Sequence, residues 1–437
     1  MRFSANSFHT NTGAVIMYID MNSFFASCEQ QDFPQYRDRP LGVLTFDSPN
    51  ACIIAPSIEA KKFGVKTGMR LGEGRALCPH MLTTTTRPYR YREIHVAIMN
   101  VLAQYCEPVN VMPRSIDEAV MNLTSYKLVY KDFREVANSI KSDIKKACGE
   151  YIKCSIGIAP NSFLAKLGTE LQKPDGLIEI TPENIDGYLA TMKLTDLPGI
   201  AKANERRLQT IGIKTPLHLR HASDALLRRA FGGVVGNYWH SRLHFKEIDL
   251  YKNNYRAMSA TRTVSQQQRS SQQSLESLLI SLCTRLEQRM VKQDVFCKEV
   301  SFFIRYKDFT SWEAKIRLAD PTQDAMEMRS YIYERIRDFE RTRNVETLFS
   351  NKTQQMGVAI SSFVHGARIQ YSLFENKIKQ DTARKVMYNI KDRYGKNIVR
   401  KASETIMPNE MKDAIGFGSV KDLYEGDKFN KYLLEED

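Results

Sequence analysis

Two acidic sites set far apart in the sequence constrain this chain more than any other feature. Asp20 closes the apolar run Ala14-Val15-Ile16-Met17-Tyr18-Ile19, and Asp117-Glu118 stand between the apolar stretches 109–112 and 119–123. Short apolar runs bounded by polar residues read as buried strands. A single Asp at a strand end is ordinarily a turn or cap residue. Adjacent Asp and Glu repel each other unless a cation lies between them, so turn chemistry explains the pair poorly. A carboxylate ending one buried strand and facing two more at a strand edge is a donor set for hard divalent cations. Mg²⁺ is held by one or two carboxylates plus substrate phosphates. Two such ions about 3.5–4 Å apart clamp both oxygens of an in-line displacement. The pattern points to a phosphoryl or nucleotidyl transferase.

At 437 residues the chain exceeds one hydrophobic core and has the length of roughly three domains. Its 63 Lys and Arg against 50 Asp and Glu give a net charge of +13, which suggests a polyanionic partner, either nucleic acid or an anionic membrane surface. The eight cysteines form no C-x-x-C pair. A zinc site or disulfide framework is not expected, and a reducing cytosol is. No apolar h-region opens the chain and no stretch has the length of a membrane span. The expectation is a soluble cytoplasmic protein, nucleoid-associated if its partner is DNA.

Periodicity predicts a strand over 14–20 and a helix from Asn22 to Glu29 capped by Asn22 or Ser23. Residues 31–89 read as a compact Pro- and Gly-bearing insertion with a short helix at 58–63. A helix at 91–105 follows. Then comes an antiparallel strand pair at 109–112 and 119–123, with the acidic dipeptide at its turn. A helix at 132–148, a strand at 153–158 and a helix at 161–171 complete an α+β unit. Residues 181–252 read as short helices broken by Pro and Gly. From 256 to 365 a long helix at 275–291, β-rich runs at 299–306, 311–318 and 356–363, and a helix near 326–341 suggest a βαβ-type domain. The last 70 or so residues, highly charged and poor in core pattern, read as a partly ordered tail.

Six pieces in one order carry a family resemblance. Asp20-Met21-Asn22-Ser23-Phe24-Phe25-Ala26-Ser27-Cys28-Glu29 is followed by Glu59-Ala60-Lys61-Lys62-Phe63-Gly64-Val65 and by Ser115-Ile116-Asp117-Glu118-Ala119. Ser155-Ile156-Gly157-Ile158-Ala159-Pro160-Asn161 comes next. Leu164-Ala165-Lys166 with Lys173-Pro174-Asp175-Gly176, and then Leu197-Pro198-Gly199-Ile200, complete the set. The set resembles the Y-family (translesion) DNA polymerases, most closely their UmuC-like branch, over residues 14 to about 400.

The resemblance implies an α+β multidomain, right-hand polymerase. Its palm would take residues 1–23 and 90–180, its fingers 24–89, and a helix-hairpin-helix thumb 181–252. A C-terminal βαβ-type little finger would take 256–368, and a charged tail 369–437. Asp20, Asp117 and Glu118 would be the catalytic acids. Together with the Met21 carbonyl they would hold two Mg²⁺ ions. Phe25 would be the steric gate under the sugar of an incoming dNTP, with Phe24 in the core. Lys61 and Lys173 would hold the triphosphate, an ammonium being a good point charge for phosphate, although a surface Lys is usually just solvated. Many members have Tyr and Arg where Ile58 and Lys61 stand, which implies a weaker or differently built triphosphate grip and low intrinsic activity.

Pro198, Gly199 and Ile200 would present backbone N–H groups to a DNA phosphate, the plain alternative being a turn between two packing helices. Arg262, with Arg256 and Arg269, would contact the backbone of primer–template DNA unless it is simply solvated. Gln370, Leu373 and Phe374, within Gln370-Tyr371-Ser372-Leu373-Phe374, resemble the peptide that docks bacterial polymerases on the sliding (beta) clamp. SOS accessory proteins are the further partners implied, and no membrane. The implied activity is error-prone translesion synthesis in DNA repair and the SOS response, without proofreading. Two alternatives remain. One is a template-independent transferase such as a nucleotidyl cyclase, which needs no DNA; the other is a DNA-binding accessory relative weak or inactive in catalysis.

Overall fold

The computed structural model describes residues 13–250, 257–370, 376–394 and 398–399. These fall into two compact units, one up to residue 250 and one from 257 onward.

The first unit is organised by a five-stranded sheet in the order Val111–Pro113, Glu118–Asn122, Ile16–Met21, Cys154–Ala159, Leu177–Glu179. Its pairings are antiparallel except the last, which is parallel. The central strand Ile16–Met21 is buried on both faces, which is why it reads as an uninterrupted apolar run. Its odd positions, Met17, Ile19 and Met21, enter a core with Tyr91, Ile98, Ile140 and Ile144 from the helices Pro88–Leu102 and Phe133–Cys148. Its even positions Ile16 and Tyr18 pack against Leu164 and Leu167 of the helix Ser162–Leu171. Asp20 is the next even position, so it faces that helix too. Gly157 lets the helix close on the sheet, because a Cβ there would lie 2.0 Å from the Ala165 carbonyl oxygen.

Two details of the first strand–helix junction differ from expectation. The helix runs Phe24–Asp32, and neither Asn22 nor Ser23 caps it through a side chain. The Asn22 side chain is taken up elsewhere: its amide donates to Ser155 Oγ at 3.1 Å and its oxygen accepts from the Asp175 N–H at 2.7 Å. In addition, Glu118 is the first residue of its strand and only Asp117 lies in the turn. The segment read as a compact insertion with one short helix also contains a three-stranded sheet, Ile53–Pro56, Leu41–Leu44 and Leu82–Thr85, with a small core of its own. Five short helices between Ile185 and Leu243 bring Leu197, Ile200, Leu208, Ile213 and Trp239 into the core that also holds Ile16 and Tyr18.

The second unit has the chain order β-α-β-β-α-β. Its strands Ala257–Thr263, Val295–Tyr306, Ser311–Thr322 and Thr353–His365 form one antiparallel sheet, in which Thr353–His365 lies between the first and second. The first two strands are therefore parallel and split by a third, a split βαβ arrangement. The helices Gln272–Lys292 and Ala325–Arg343 supply Leu279, Leu282, Met328 and Ile332 to its core. Within the stretch expected as tail, a helix Lys377–Tyr394 packs on this unit and buries Arg384, Tyr388 and Lys391. Its buried face is polar, and for that reason a reading of apolar periodicity did not find it. No helix among the described residues is long and apolar enough to cross a membrane.

Candidate active site

The register of the central sheet places Asp20 directly opposite Glu118 on one side and Ser155 on the other. Asp117 precedes Glu118, and its carbonyl accepts from the Met21 N–H at 2.9 Å. The two remote acidic sites are thereby fixed to each other by main-chain bonds. His95 supports the loop from below: its Nδ1 donates to the Ile116 carbonyl at 2.8 Å, and burial pulls its pKa down to about 4.

Asp20, Asp117 and Glu118 line one cleft of about 640 Å³ with Met21, Phe25, Ile58, Lys61, Lys166, Glu170 and Lys173. Asp20 is 5% exposed, and Asp117 and Glu118 are half-buried. Burial, opposed by the Ser115 hydroxyl and reinforced by the charges of Glu118 and Asp20, raises the Asp117 carboxyl above its ordinary range. Lys61, at the end of the helix Ile58–Lys62, is lowered by desolvation and then by the charge of Lys173.

Lys166 lies at the centre of the charges. Its Nζ bonds Asp20 Oδ2, Glu118 Oε1 at 2.7 Å and Glu170 Oε1 at 2.9 Å. Lys173 Nζ reaches Asp20 Oδ2 at 3.0 Å and Glu170 Oε1 at 2.9 Å. Burial would lower the Lys166 ammonium, but the three carboxylates outweigh it and hold it well above its usual range. Tyr18 completes the group, its hydroxyl donating to Glu118 Oε2 at 2.9 Å. The sequence reading assigned no role to Lys166, Glu170 or Tyr18. Two signals mark them: Lys166 and Glu170 are spaced i,i+4 on a helix, and Tyr18 and Asp20 are spaced i,i+2 on a strand.

Phe24 and Phe25 are both buried and both border the cleft. Phe25 stacks on Tyr91 at a centroid distance of 4.4 Å with rings 16° apart. Tyr91 in turn donates its hydroxyl to the fully buried Glu29 at 2.7 Å, and Arg87 closes on the same carboxylate at 3.0 Å. The wall carrying Phe25 is therefore braced by a polar network behind it.

Pro198, Gly199 and Ile200 lie apart from this cleft, along a second one of about 670 Å³ that Lys166 and Glu170 also border. Gly199 has φ +93°, which explains the glycine of the turn. Arg262 lies in the second unit, half-buried in line with Met258 and Ala260, which face the core. Arg269 is tied to the Val264 carbonyl at 2.7 Å, so its fork is already engaged in the protein. Arg256, Leu373 and Phe374 lie outside the described residues. Gln370, the last described residue before them, borders a small pocket of the second unit.

Comparison with known proteins gives a consistent result. Residues 19–170 match the impB/mucB/samB family, and residues 256–373 match the C-terminal domain of the same family. The chain is 27% identical over 400 residues to the DNA polymerase IV of Treponema denticola, covering 90% of this chain and 97% of the relative. It is 28% identical to the DNA polymerase IV of Listeria monocytogenes, over 73% of this chain and 88% of the relative. Among solved structures, a Y-family DNA polymerase chimera of Dbh and Dpo4 aligns with a TM-score of 0.66 at 20% identity, covering 80% of this chain and 99% of the other. An insertion ternary complex of Dbh DNA polymerase aligns over the same shares at 20% identity with a TM-score of 0.57. The family matches, the DNA polymerase IV relatives and the Y-family structures agree on a Y-family translesion polymerase.

Proposed function

The chain belongs to the impB/mucB/samB family of Y-family translesion DNA polymerases, and from that membership we propose a template-directed nucleotidyl transfer from a dNTP to a primer 3′-hydroxyl, carried out in the cleft beneath Asp20. The observation that carries this reading is the opposition of Asp20 and Glu118 across one strand pair, with Asp117 fastened to Met21 beside them.

The donor set fits divalent metal ions. Three carboxylates and a backbone carbonyl are hard oxygen ligands of the kind Mg²⁺ prefers. Among the described residues no three acidic side chains already converge as a cage, and Lys166 holds two of the three acids. Asp20, Asp117, Glu118 and the Met21 carbonyl would hold two Mg²⁺ ions. The ions would neutralise the triphosphate and lower the pKa of the attacking hydroxyl. Phe25 offers an apolar face where a 2′-hydroxyl would have to fit, which favours deoxynucleotides. Lys61 and Lys173 supply point charges for the triphosphate.

In this reading residues 1–23 and 90–180 are palm, 24–89 fingers, 181–252 thumb and 256–368 little finger. The backbone turn at Pro198, Gly199 and Ile200 holds DNA without reading sequence, and Arg262 lies at the start of the little finger. Gln370, Leu373 and Phe374 form the clamp-docking peptide, SOS accessory proteins are further partners, and the protein works on DNA in the cytoplasm. The clamp reading rests on the resemblance of this peptide, which in sequence lies between the strand Thr353–His365 and the helix Lys377–Tyr394. Replacing Leu373 and Phe374 with Ala should reduce processivity only when the clamp is present.

Primer extension on an undamaged template, wild type beside Asp117→Ala, tests the central reading. Extension by wild type and none by the variant is expected. Near-normal turnover by Asp117→Ala would overturn the metal assignment.

A further inference from the structure

Lys166 does more than neutralise charge, because of where its three bonds go. Two of its acceptors, Asp20 and Glu118, are the facing acids of the strand pair, and the third, Glu170, is one helical turn from Lys166 itself. Glu170 belongs to no acidic motif and borders both the main cleft and the one along Pro198-Gly199-Ile200. Lys173 repeats the pattern, joining Asp20 on one side to Glu170 on the other. A divalent cation that takes Asp20 Oδ2 and Glu118 Oε1 takes these oxygens from an ammonium, and each ammonium then has Glu170 as its remaining partner. An ammonium stripped of every acceptor in a partly buried site would incur the full cost of an unpaired charge; one acceptor in reach removes most of it.

We propose that Lys166 is an exchangeable internal cation of this site, and that Glu170 is the carboxylate that receives its ammonium when a divalent ion takes Asp20 and Glu118. The inference rests on the metal reading given above. Lys166 and Glu170 are positioning residues here, acting on cation occupancy through the acids they bond. The exchange makes cation entry and lysine withdrawal one coupled event. It also leaves Lys166 at the mouth of the second cleft, paired to a residue common to both.

Mn²⁺ binding to the full chain, without DNA or nucleotide, tests this through the electron paramagnetic signal of the free ion. Lys166→Met should tighten Mn²⁺ binding by about tenfold, and Glu170→Gln should weaken it several-fold. Simple loss of charge predicts both of those directions as well, so the double variant decides. Exchange requires the Glu170→Gln loss to shrink at least about twofold beside Lys166→Met, since only the Lys173 ammonium is then left for Glu170 to receive. The same loss in both backgrounds would show that Glu170 acts only as a distant charge and would overturn the proposal. So would an unchanged affinity in Lys166→Met. If Lys166→Met does not fold, Lys166→Gln enters the same cycle with the same two outcomes. Asp117→Asn separates the premise from the proposal: if it leaves Mn²⁺ binding intact in every background, the metal site itself is misassigned. If it removes binding while the cycle shows no coupling, only the exchange is wrong.

Discussion

Each unit of the molecule contains one basic side chain shared by three carboxylates, and the two clusters have opposite characters. In the first unit Lys166 joins Asp20, Glu118 and Glu170 beside a cleft of about 640 Å³. In the second, Arg384 joins Asp381, Asp324 at 2.6 Å and Glu287 at 3.5 Å, with a cavity of only about 40 Å³ alongside. Glu287 is fully buried and is further bound by the Tyr388 hydroxyl at 2.9 Å and the Ala325 N–H at 2.7 Å. The Arg384 cluster is thus enclosed and nearly saturated, and it fixes the helix Lys377–Tyr394 to the sheet domain. The Lys166 cluster opens on space large enough for a ligand, and its cation is a point charge that can move between acceptors. Similar charge in two settings gives a clasp in one and a cluster open to a ligand-sized cleft in the other. What separates them is enclosure and the number of acceptors left over.

The largest test of that contrast is Asp117→Ala. Nucleotide addition should fall at least about 10³-fold, as for loss of a group that stabilises developing charge. Thermal unfolding and DNA binding should stay close to wild type. A large loss of stability would make the acidic loop structural and erase the contrast.

Next is Arg384→Met, which leaves three carboxylates around an apolar tip. Breaking a buried ion pair from one side costs about 3–5 kcal/mol, and calorimetry should show that loss in the unfolding of the second unit. Lys166→Met should cost clearly less, because Glu118 and Glu170 are partly solvated. Equal losses would mean that both clusters are clasps.

A third test uses pH. The His95 pKa of about 4 lies below the unfolded value of about 6.5, so the unfolded chain takes up the proton first as pH falls. The first unit should keep its full stability above about pH 6.5 and lose on the order of 3 kcal/mol between there and pH 4. His95→Gln should flatten that slope. A slope that persists in the variant would place the titration elsewhere.

The smallest expected effect is on selectivity. Phe25→Ala should reduce discrimination against ribonucleotides by about 10–100-fold, the scale on which a packed wall rejects a bulkier ligand. Unchanged selectivity would remove Phe25 as the gate and leave it a core residue stacked on Tyr91.

Much of this site is legible in the residue order. Asp20 at the end of an apolar run and the Asp117-Glu118 pair between two others mark strand ends and the acids of the proposed cation site. The motif pieces around Phe25, Lys61 and Lys173 carry the family. Their presence in one cleft is what the structure adds. Other features left no local trace. The helix Lys377–Tyr394 escaped notice because it buries Arg384, Tyr388 and Lys391 rather than an apolar stripe. The bonds of Arg269 to the Val264 and Ser265 carbonyls could not be read from the sequence either. Lys166 could have been found by its i,i+4 spacing to Glu170, but nothing in the sequence says that Asp20 faces it.

The sequence by itself determined which residues could do chemistry and the strands that carry them, because hydrophobic periodicity and residue type are local properties of the chain. Only the tertiary structure decided the pairing. Strand register set Asp20 against Glu118. The bare backbone of Gly157 let the helix Ser162–Leu171 close on the sheet, and that approach put Lys166 among the acids. Distances of this kind depend on how faces pack across stretches of chain far apart in sequence, so charges that look independent in the sequence become one coupled cluster in the fold.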